Sequence, residues 1–379
     1  MFFEPFEQGP IRPPSEAYSL LIRATRNCPW NRCRFCSTYK GNKFELRPVE
    51  EIKQDILKVK QIQDEIKALT LRQGYGINVR PAVLAVLRNP PSQAHYNVAL
   101  WMQSGSQNVF LQDANSIIMR TPDLVEVLKF LKETLPTVNR ITSYGRSHTA
   151  AHKTPDELKA IHEAGLSRLH IGLESGSDTI LKIMNKGVTA EQHIAGGQNV
   201  VASGISLSEY VLLGLGGQGL WHEHALETAR VLSAINPDFI RIRTLGIYPG
   251  LEMYADVESG AFVRQSDEGM VEELRLIIEN LDCTSNLVSD HSGNLLEEVT
   301  GKLPEDKSKM LGIIAQYQSL PPQERLHFRV GRRAGVYVSL DEMKDPRKRA
   351  TVAGIIDRLS NGTGEVDDDL VHQMRLAYT

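Results

Sequence analysis

The sequence has little that would mark a secreted, membrane-spanning or strongly charged protein. Only four cysteines occur in 379 residues, and no pattern pairs them as disulfides, which favours a reducing cytosol. No apolar run approaches the roughly 18 residues of a membrane span. The start of the chain, with an acid and a proline at Glu4 and Pro5, predicts no signal peptide. We therefore expect a cytoplasmic protein with no membrane partner.

The sequence also lacks a strong net charge. The formal net charge is −3, so no global field favours binding to nucleic acid. Nothing in the composition predicts a nucleic-acid partner, although a local site for one stays open. The chain also contains no internal repeat beyond an alternation of strand-like and helix-like segments, and it is long enough for a large core or for two domains.

The few cysteines are unevenly distributed. Cys28, Cys33 and Cys36 lie within nine residues in the spacing C-x4-C-x2-C, and Cys283 follows far downstream. Three close thiolates with no fourth nearby can hold three irons of a 4Fe–4S cluster and leave the fourth iron open to a reacting ligand. This is the interpretation that the spacing favours, with Cys28, Cys33 and Cys36 as the metal ligands.

Three other interpretations stay open. Plant-type ferredoxins use the same spacing for a 2Fe–2S cluster, and Cys283 would then be the fourth ligand. A zinc site would need a second Cys or His pair, which the sequence does not provide near the first. Unligated core cysteines are common, but Arg26, Arg32 and Arg34 are poor neighbours for a core.

Apolar segments of strand length alternate with amphipathic segments of helix length over about residues 17–250. The predicted strands are Ala17–Arg23, Asn108–Asp113, Arg140–Tyr144, Arg168–Leu173, Leu207–Leu213 and Phe239–Leu245. The predicted helices are Val49–Lys60, Pro122–Glu133, Pro155–Ala164, Ala190–Ala202 and His222–Ala234. Such alternation predicts an α/β fold with a parallel sheet and right-handed crossovers. Six strand–helix units are fewer than the eight of a closed barrel.

The predicted organisation has three parts. Residues 1–16 form an N-terminal extension, and residues 17–250 form the α/β core, with an insertion in its first crossover at 37–107. Residues 251–379 form a mainly helical C-terminal part, because the alternation stops after Leu251.

Candidate site residues follow the predicted strands, because ligands of parallel α/β sheets bind at the C-terminal strand ends. After the second strand come Gln112, Asp113 and Asn115. Asp113 could accept hydrogen bonds from an ammonium group. Alternatively, Asp113 and Asn115 cap the next turn. After the third strand, Tyr144 and Arg146 could face a substrate.

The later strand ends add further candidates. Glu174 and Ser175, flanked by glycines, suit ribose hydroxyls or an ammonium. Gly214 and Gly216 lie in a glycine-rich turn whose spacing matches neither G-x-G-x-x-G nor G-x4-G-K. His291, in a polar loop of the C-terminal part, is a candidate for substrate contact.

Several of these motifs together resemble the radical S-adenosylmethionine (SAM) superfamily. Leu20–Arg26 followed by the cysteine loop resembles its first strand and cluster loop, and Phe35 occupies the usual aromatic position before the last cysteine. Gly172–Ser177, followed by Met184–Gly187, is similar to a signature of the branch with Elp-type, methylthiotransferase-like and coproporphyrinogen-dehydrogenase-like enzymes. The chain departs from the usual C-x3-C-x2-C spacing by one residue, and it lacks Gly-Gly-Glu-Pro after the second strand.

The resemblance implies a fold, two cofactors and a reaction. It implies a partial (β/α)6 TIM-like barrel in which Cys28, Cys33 and Cys36 hold a single oxygen-sensitive 4Fe–4S cluster. SAM would chelate the open iron and be cleaved reductively to a 5′-deoxyadenosyl radical, which abstracts hydrogen from a small-molecule substrate. A flavodoxin or ferredoxin would supply the electron. The alternative from another class is a non-catalytic iron–sulfur electron carrier or a metal-stapled binding protein.

The resemblance also distributes roles around SAM. It places the polar residues after the second and fourth strands at the amino acid and ribose parts of SAM, and Gly214, Gly216 and Tyr248 on the adenine and methionine side. Only 27 residues precede Cys28, so we expect no cobalamin-binding domain before the barrel. One leftover cysteine predicts no auxiliary cluster.

Overall fold

The computed structural model describes residues 6–72, 78–360 and 366–376. The first five residues of the predicted N-terminal extension, and residues 361–365 and 377–379 of the predicted C-terminal part, lie outside this range. The chain divides into two compact units. The first comprises Met1–Asn31, Thr38–Ile171 and Gly196–Leu207, and the second comprises Arg32–Ser37, Gly172–Ala195 and Ser208–Thr379. The three-part division expected from the sequence stays a prediction.

The first unit contains a run of parallel strands with helices between them. Its strands are β1 (Leu20–Arg23), β2 (Thr25–Arg26), β3 (Glu45–Leu46), β4 (Asn108–Gln112), β5 (Arg140–Gly145) and β6 (Leu166–Glu174), which ends in the second unit. Its helices are α1 (Val49–Arg72), α2 (Arg80–Arg88), α3 (Gln93–Gln103), α4 (Thr121–Thr134), α5 (Ser147–His152) and α6 (Pro155–Ala164), with 3-10 turns at Pro14–Glu16 and Ser116–Ile118. Strands β1, β4, β5 and β6 pair in parallel in that order, and β2 pairs with β3 in antiparallel orientation.

The second unit continues with helix α7 (Asp178–Ile183) and contains the start of α8 (Ala190–Ala202) and most of β7 (Ser206–Leu213). Its other strands are β8 (Phe239–Thr244), β9 (Asn286–Val288) and β10 (Gly301–Lys302). Its other helices are α9 (Gly217–Ile235), α10 (Tyr254–Glu258), α11 (Asp267–Asn280), α12 (Lys307–Ser319), α13 (Pro322–Arg333), α14 (Pro346–Leu359) and α15 (Asp368–Leu376), with a 3-10 turn at Leu340–Lys344. Strands β7, β8 and β9 are parallel, and β10 is antiparallel to β9.

Local sequence chemistry explains where several helices begin and end. Helix α6 begins with a capping box, in which the Thr154 side chain accepts from the Glu157 backbone and Glu157 accepts from the Thr154 backbone. It ends at Gly165, whose φ of 125° a β-carbon would strain. The Thr-Pro-Asp run at Thr121 would suggest the same threonine cap for α4, but Thr121 is the first helical residue and Arg120 is the cap position.

The predicted α/β class is confirmed, with the parallel strands and crossover helices that are the repeating unit of a partial (β/α)6 barrel. All six predicted strands form, with ends that shift by three residues at most, and helices Pro155–Ala164 and Ala190–Ala202 form as predicted. The described residues after Leu251 are mainly helical, as expected, and the sequence analysis did not anticipate the short strand β9, which extends the sheet beside β8. A three-residue strand within a polar segment is too short to show a periodicity in the sequence. Among the described residues, no helix is both long and apolar enough to cross a membrane.

Candidate active site

In the first unit, Cys28 lies between two left-handed asparagines. Asn27 has a φ of 65° and Asn31 a φ of 48°, a conformation that asparagine tolerates better than most residues. The Asn31 backbone N–H donates to Cys28 Sγ at 3.4 Å, and its side-chain amide donates to the Tyr39 carbonyl at 2.5 Å. An N–H group directed at sulfur stabilises a thiolate, which is the form that binds iron.

Asp113 fixes the beginning of the cysteine loop. The carboxylate is fully buried, and its Oδ2 accepts from Arg23 Nε at 2.7 Å and from the Asn27 backbone N–H at 3.0 Å. Burial raises the pKa of Tyr39, and the charge of Asp113 raises it further. The structure therefore places Asp113 against the residue that precedes Cys28. Its predicted contact with an ammonium group stays a prediction.

The other two polar residues after β4 are engaged with the protein itself. The Gln112 side chain donates to the carbonyls of Gly9 and Ile11 at 3.0 and 2.6 Å and accepts from the Gly9 N–H at 2.8 Å. Asn115 accepts from the Arg146 N–H at 3.1 Å and donates to Thr149 at 2.8 Å. Asn115 precedes the 3-10 turn at Ser116–Ile118, but its side chain makes no capping hydrogen bond there, so both its ligand role and its capping role stay predictions.

Arg146, directly after β5, contacts the cysteine loop, whereas Tyr144 lies within β5. The Arg146 guanidinium lies 5.3 Å from the centre of the Trp30 ring, within the range of a cation–π contact. Tyr144 packs edge-on against Phe110, with the ring centres 5.0 Å apart. Because Trp30 follows Cys28 by two residues, Arg146 lies beside the start of the cysteine loop, and its substrate-side role stays a prediction.

In the second unit, Cys33 and Cys36 lie in a turn that Arg34 anchors. The Cys36 N–H donates to the Cys33 carbonyl at 3.4 Å, and the Arg34 N–H donates to the Met184 carbonyl at 3.0 Å. The Arg34 guanidinium contacts Glu252 at 3.0 Å and Asp256 at 2.5 Å. Both thiols are partly exposed, and among the described residues no cysteine forms a disulfide.

Residues on either side of Cys36 fix the end of the loop. Phe35 packs against a buried apolar cluster that includes Met184 and Leu245. Ser37 Oγ lies 2.6 Å from Tyr248 Oη. Because Tyr248 follows β8, Ser37 lies near the C-terminal end of this strand.

Cys283 lies at the other end of β8. The next residue, Thr284, donates its N–H to Asn236 Oδ1 at 2.8 Å, and Asn236 precedes the start of β8. The five steps between the six residues of β8, at about 3.3 Å each, make the strand about 17 Å long from its first to its last Cα atom. Cys283 is therefore too far from the Ser37–Tyr248 contact to complete a four-cysteine site with Cys36. The described residues also bring no three His, Cys, Asp or Glu side chains together as ligands of a single metal ion.

Glu174, the last residue of β6, belongs to a group of ionisable side chains that includes Lys186 and Glu209, which the sequence analysis did not select. Lys186 Nζ lies 3.0 Å from Glu174 Oε1 and 5.6 Å from the centre of the Phe35 ring. Glu209 on β7 is fully buried, and among the described residues neither of its carboxyl oxygens has a hydrogen-bond partner. Burial raises its pKa well above the ordinary value, against the opposing charge of Lys186. The Met184–Gly187 signature already contained Lys186 and could have identified it.

Ser175 turns into the protein interior. Its hydroxyl lies 2.9 Å from His224 Nδ1 and accepts from the Ser177 N–H at 3.1 Å. Burial lowers the pKa of His224 to about 4, so the imidazole is neutral and its Nε2 donates to the Leu212 carbonyl at 3.1 Å. This network supports the turn after β6, and the predicted contact of Ser175 with SAM stays a prediction.

The two glycines after β7 have structural reasons to lack a side chain. Gly214 has a φ of 83°, and its N–H donates to Glu273 Oε1 at 2.9 Å. Burial raises the pKa of Glu273 to about 8, so this carboxyl is protonated at neutral pH. A β-carbon at Gly216 would lie 2.8 Å from the backbone of Leu220. Both glycines therefore set the path of the loop that enters α9.

His291 lies near the C-terminal end of β8. The Thr244 N–H points at its Nδ1 at 3.5 Å. Burial, with the nearby charge of Arg243, lowers the pKa of His291 to about 4, so the imidazole is neutral at physiological pH. The preceding Asp290 pairs with Arg241 at 2.5 Å and with Arg243 at 2.7 Å.

Comparison with protein families supports the resemblance read from the motifs. Residues 102–229 match the model described as the Radical SAM superfamily. The resemblance to that superfamily is thereby confirmed and, because its members are enzymes, so is the expectation of an enzyme. The match runs from the end of α3 into α9 and does not include the cysteine loop. No curated protein matches the chain.

Solved structures of radical SAM enzymes are among the similar folds. They include Elp3 of the archaeon Methanocaldococcus infernus with an N-terminal deletion (17% identity, 48% of each chain, TM-score 0.39). Methylornithine synthase, PylB, aligns with 15% identity over 69% of this chain and 63% of its own, with a TM-score of 0.41. Coproporphyrinogen III oxidase, HemN, of Escherichia coli aligns with 15% identity over 69% of this chain and 51% of its own, with a TM-score of 0.42. The aligned regions thus span 48–63% of these proteins.

Proposed function

We propose that the chain cleaves SAM reductively at a 4Fe–4S cluster held by Cys28, Cys33 and Cys36. The observation that carries this proposal is how the cysteine loop is fixed. Asp113 binds the backbone immediately before Cys28, and Tyr248 binds the residue immediately after Cys36. Both contacts hold the backbone or side chain of residues next to the cysteines, which supports a loop of defined path on which the three thiols are presented.

The donor set fits the cofactor. Three thiolates and an N–H directed at Cys28 Sγ suit the iron–sulfur cluster that the superfamily carries. When bound, the cluster and SAM supply a 5′-deoxyadenosyl radical that abstracts hydrogen from substrate. The position of Cys283 at the opposite end of β8 argues against the ferredoxin-like alternative.

The residues of the chain supply binding and shielding. Glu174 and Lys186 form a partly exposed ion pair beside Phe35, whose ring belongs to the apolar cluster. A zwitterionic amino acid group can insert into such a pair, its ammonium against Glu174 and its carboxylate against Lys186. We assign this pair to the methionyl end of SAM, and we assign Tyr144 and Arg146 to the substrate side.

Several finer expectations belong to the same proposal. The substrate is a small molecule, a flavodoxin or ferredoxin donates the electron, and the protein works in the cytoplasm with an oxygen-sensitive cluster. Gly214, Gly216 and Tyr248 are proposed for the adenine side of SAM. The glycine-rich turn supports this, because backbone without side chains permits close approach of a ligand.

Anaerobic reconstitution tests the proposal. The protein is loaded with iron and sulfide, reduced with dithionite in the presence of SAM, and assayed for 5′-deoxyadenosine by chromatography. We expect product from the wild type and from Cys283→Ala, and none from the Cys28→Ala, Cys33→Ala, Cys36→Ala triple variant. A wild type with a stable cluster and no product would contradict the proposal. Loss of the cluster in Cys283→Ala would instead support a four-cysteine electron carrier.

A further inference from the structure

Two arginines on β8 share one carboxylate. Arg241 and Arg243 are two residues apart, so their side chains leave the same face of the strand. Arg241 Nη1 lies 2.5 Å from Asp290 Oδ2, and Arg243 Nη1 lies 2.7 Å from Asp290 Oδ1. Because guanidinium groups stay charged, this group of three side chains has a net charge of +1.

The arginines have hydrogen-bond donors that the protein does not use. Arg241 is 6% exposed, and its Nε is buried without a hydrogen-bond partner, as is Arg243 Nη2, within the described part of the chain. A buried donor that stays unpaired carries a penalty, so the pair is suited to a further acceptor. The Asp290 side chain is 36% exposed, whereas the side chains of Arg241 and Arg243 are 7% and 12% exposed.

The position of the pair matches a substrate site. Arg243 is the penultimate residue of β8, and its guanidinium lies 4.9 Å from the centre of the Tyr210 ring on the parallel strand β7. Tyr248, beyond the end of β8, contacts Ser37 next to Cys36. The arginines therefore lie on the strand that leads to the cysteine loop, at the end where parallel sheets bind ligands.

We propose that Arg241 and Arg243 bind a carboxylate group of the substrate, which displaces Asp290 or joins it. The inference rests on the proposed function only for the identification of the ligand as substrate. The contacts of Asp290 show that a carboxylate has the geometry to bind this pair, because each of its two oxygens accepts from a different guanidinium. While Asp290 stays in place, a carboxylate neutralises the net charge of +1, whereas a phosphate dianion would exceed it.

Binding of a simple carboxylate tests the inference. Butyrate, butyramide and inorganic phosphate are titrated into the reconstituted full-length protein and followed by calorimetry. We expect butyrate to bind and butyramide not to bind. Arg241→Gln and Arg243→Gln should each weaken butyrate binding at least tenfold, while the exposed Arg230→Gln should match the wild type. Asp290→Asn should strengthen binding several-fold, because it removes a competing carboxylate that occupies the same donors.

The variants separate binding from folding. If a glutamine variant fails to fold, Arg243→Lys keeps the charge without the planar fork and should bind butyrate more weakly than the wild type. Equal binding of butyrate in all variants, or weaker binding in Asp290→Asn, would overturn the inference, and phosphate binding as tight as butyrate would overturn the carboxylate assignment. Absence of 5′-deoxyadenosine formation would contradict the proposed function, but it would not affect these binding results. The two proposals therefore fail independently.

Discussion

Replacing Asp113 with asparagine should destabilise the first unit and impair loading of the cluster. The substitution keeps an oxygen that can accept from the Asn27 N–H, but it removes the charge that faces Arg23 at 2.5 Å. Removing one partner of a buried ion pair costs about 3–5 kcal/mol. Arg23 also pairs with Glu7 at 3.0 Å, which compensates part of the charge. We therefore expect a loss near the lower end, about 3 kcal/mol.

The assay has two readouts. Urea unfolding of the anaerobic protein, followed by tryptophan fluorescence, gives the loss in free energy of unfolding. Iron content per chain after reconstitution reports whether the backbone before Cys28 is still held. The matched control is Asp123→Asn, in which an exposed aspartate loses its pairing with Arg120 and for which we expect unchanged stability and iron content.

The competing interpretation of Asp113 predicts a different pattern. If its carboxylate serves mainly to hold the ammonium of SAM, Asp113→Asn should raise the KM for SAM and leave stability and iron content unchanged. That result would refute the assignment of Asp113 to the positioning of the cysteine loop. A loss of stability together with a lower iron content would identify Asp113 as a positioning residue for the cysteine loop.

Three further predictions follow from buried groups and close contacts. Burial raises the pKa of Glu273 from 4.5 to about 8, so the stability that this carboxyl contributes is fully present below pH 4.5 and is lost as pH rises through 8. Glu273→Gln should remove this pH-dependent loss, which is on the order of 5 kcal/mol, in urea unfolding midpoints measured at pH 5, 7 and 9. An unchanged dependence of the midpoint on pH in the variant would contradict the prediction. A β-carbon at Gly9 would lie 1.9 Å from Asp113 Oδ1, so Gly9→Ala should destabilise the protein by about 1–3 kcal/mol in thermal melting. The control Gly312→Ala has open space around the new methyl group inside α12 and should stabilise the protein by about 0.5–1 kcal/mol. Equal melting temperatures of the two variants would count against the Gly9 contact. Lys186→Met should raise the KM for SAM about 10–100-fold, since a charged hydrogen bond contributes about 1.5–3 kcal/mol. Lys186→Arg keeps the positive charge and should restore most of the lost affinity for SAM. An unchanged KM in both variants would contradict the assignment of Lys186 to the SAM site.

The sequence was most informative where side-chain patterns repeat. The six main strands are apolar runs with near-complete burial, as Leu20, Ile22 and Leu111 show, and such runs are visible without a structure. The cysteine loop was visible for a different reason, because its spacing is a property of the chain alone. By contrast, β9 has only three residues, and pairing with β8 rather than its own composition makes it a strand.

The roles of individual polar residues were harder to predict. A polar side chain after a strand can face a ligand or bond to the protein, and the choice depends on partners far away in sequence. Gln112 binds backbone groups more than 100 positions away, and Asn115 binds the backbone of Arg146. The Arg241–Asp290 pair spans 49 positions. No local pattern contains such information, so these contacts required the folded structure.

The extra residue between the first two cysteines has a local explanation. The x4 segment contains Asn31, whose left-handed backbone (φ 48°) reverses the local path of the chain. In this conformation its N–H faces Cys28 Sγ, and its side chain holds the Tyr39 carbonyl. A longer spacing without such a turn would let the loop move away from its anchor at Asn27. This arrangement supports the proposal that Cys28 ligates the cluster, because Asn31 uses the added length to place an N–H donor at Cys28 Sγ.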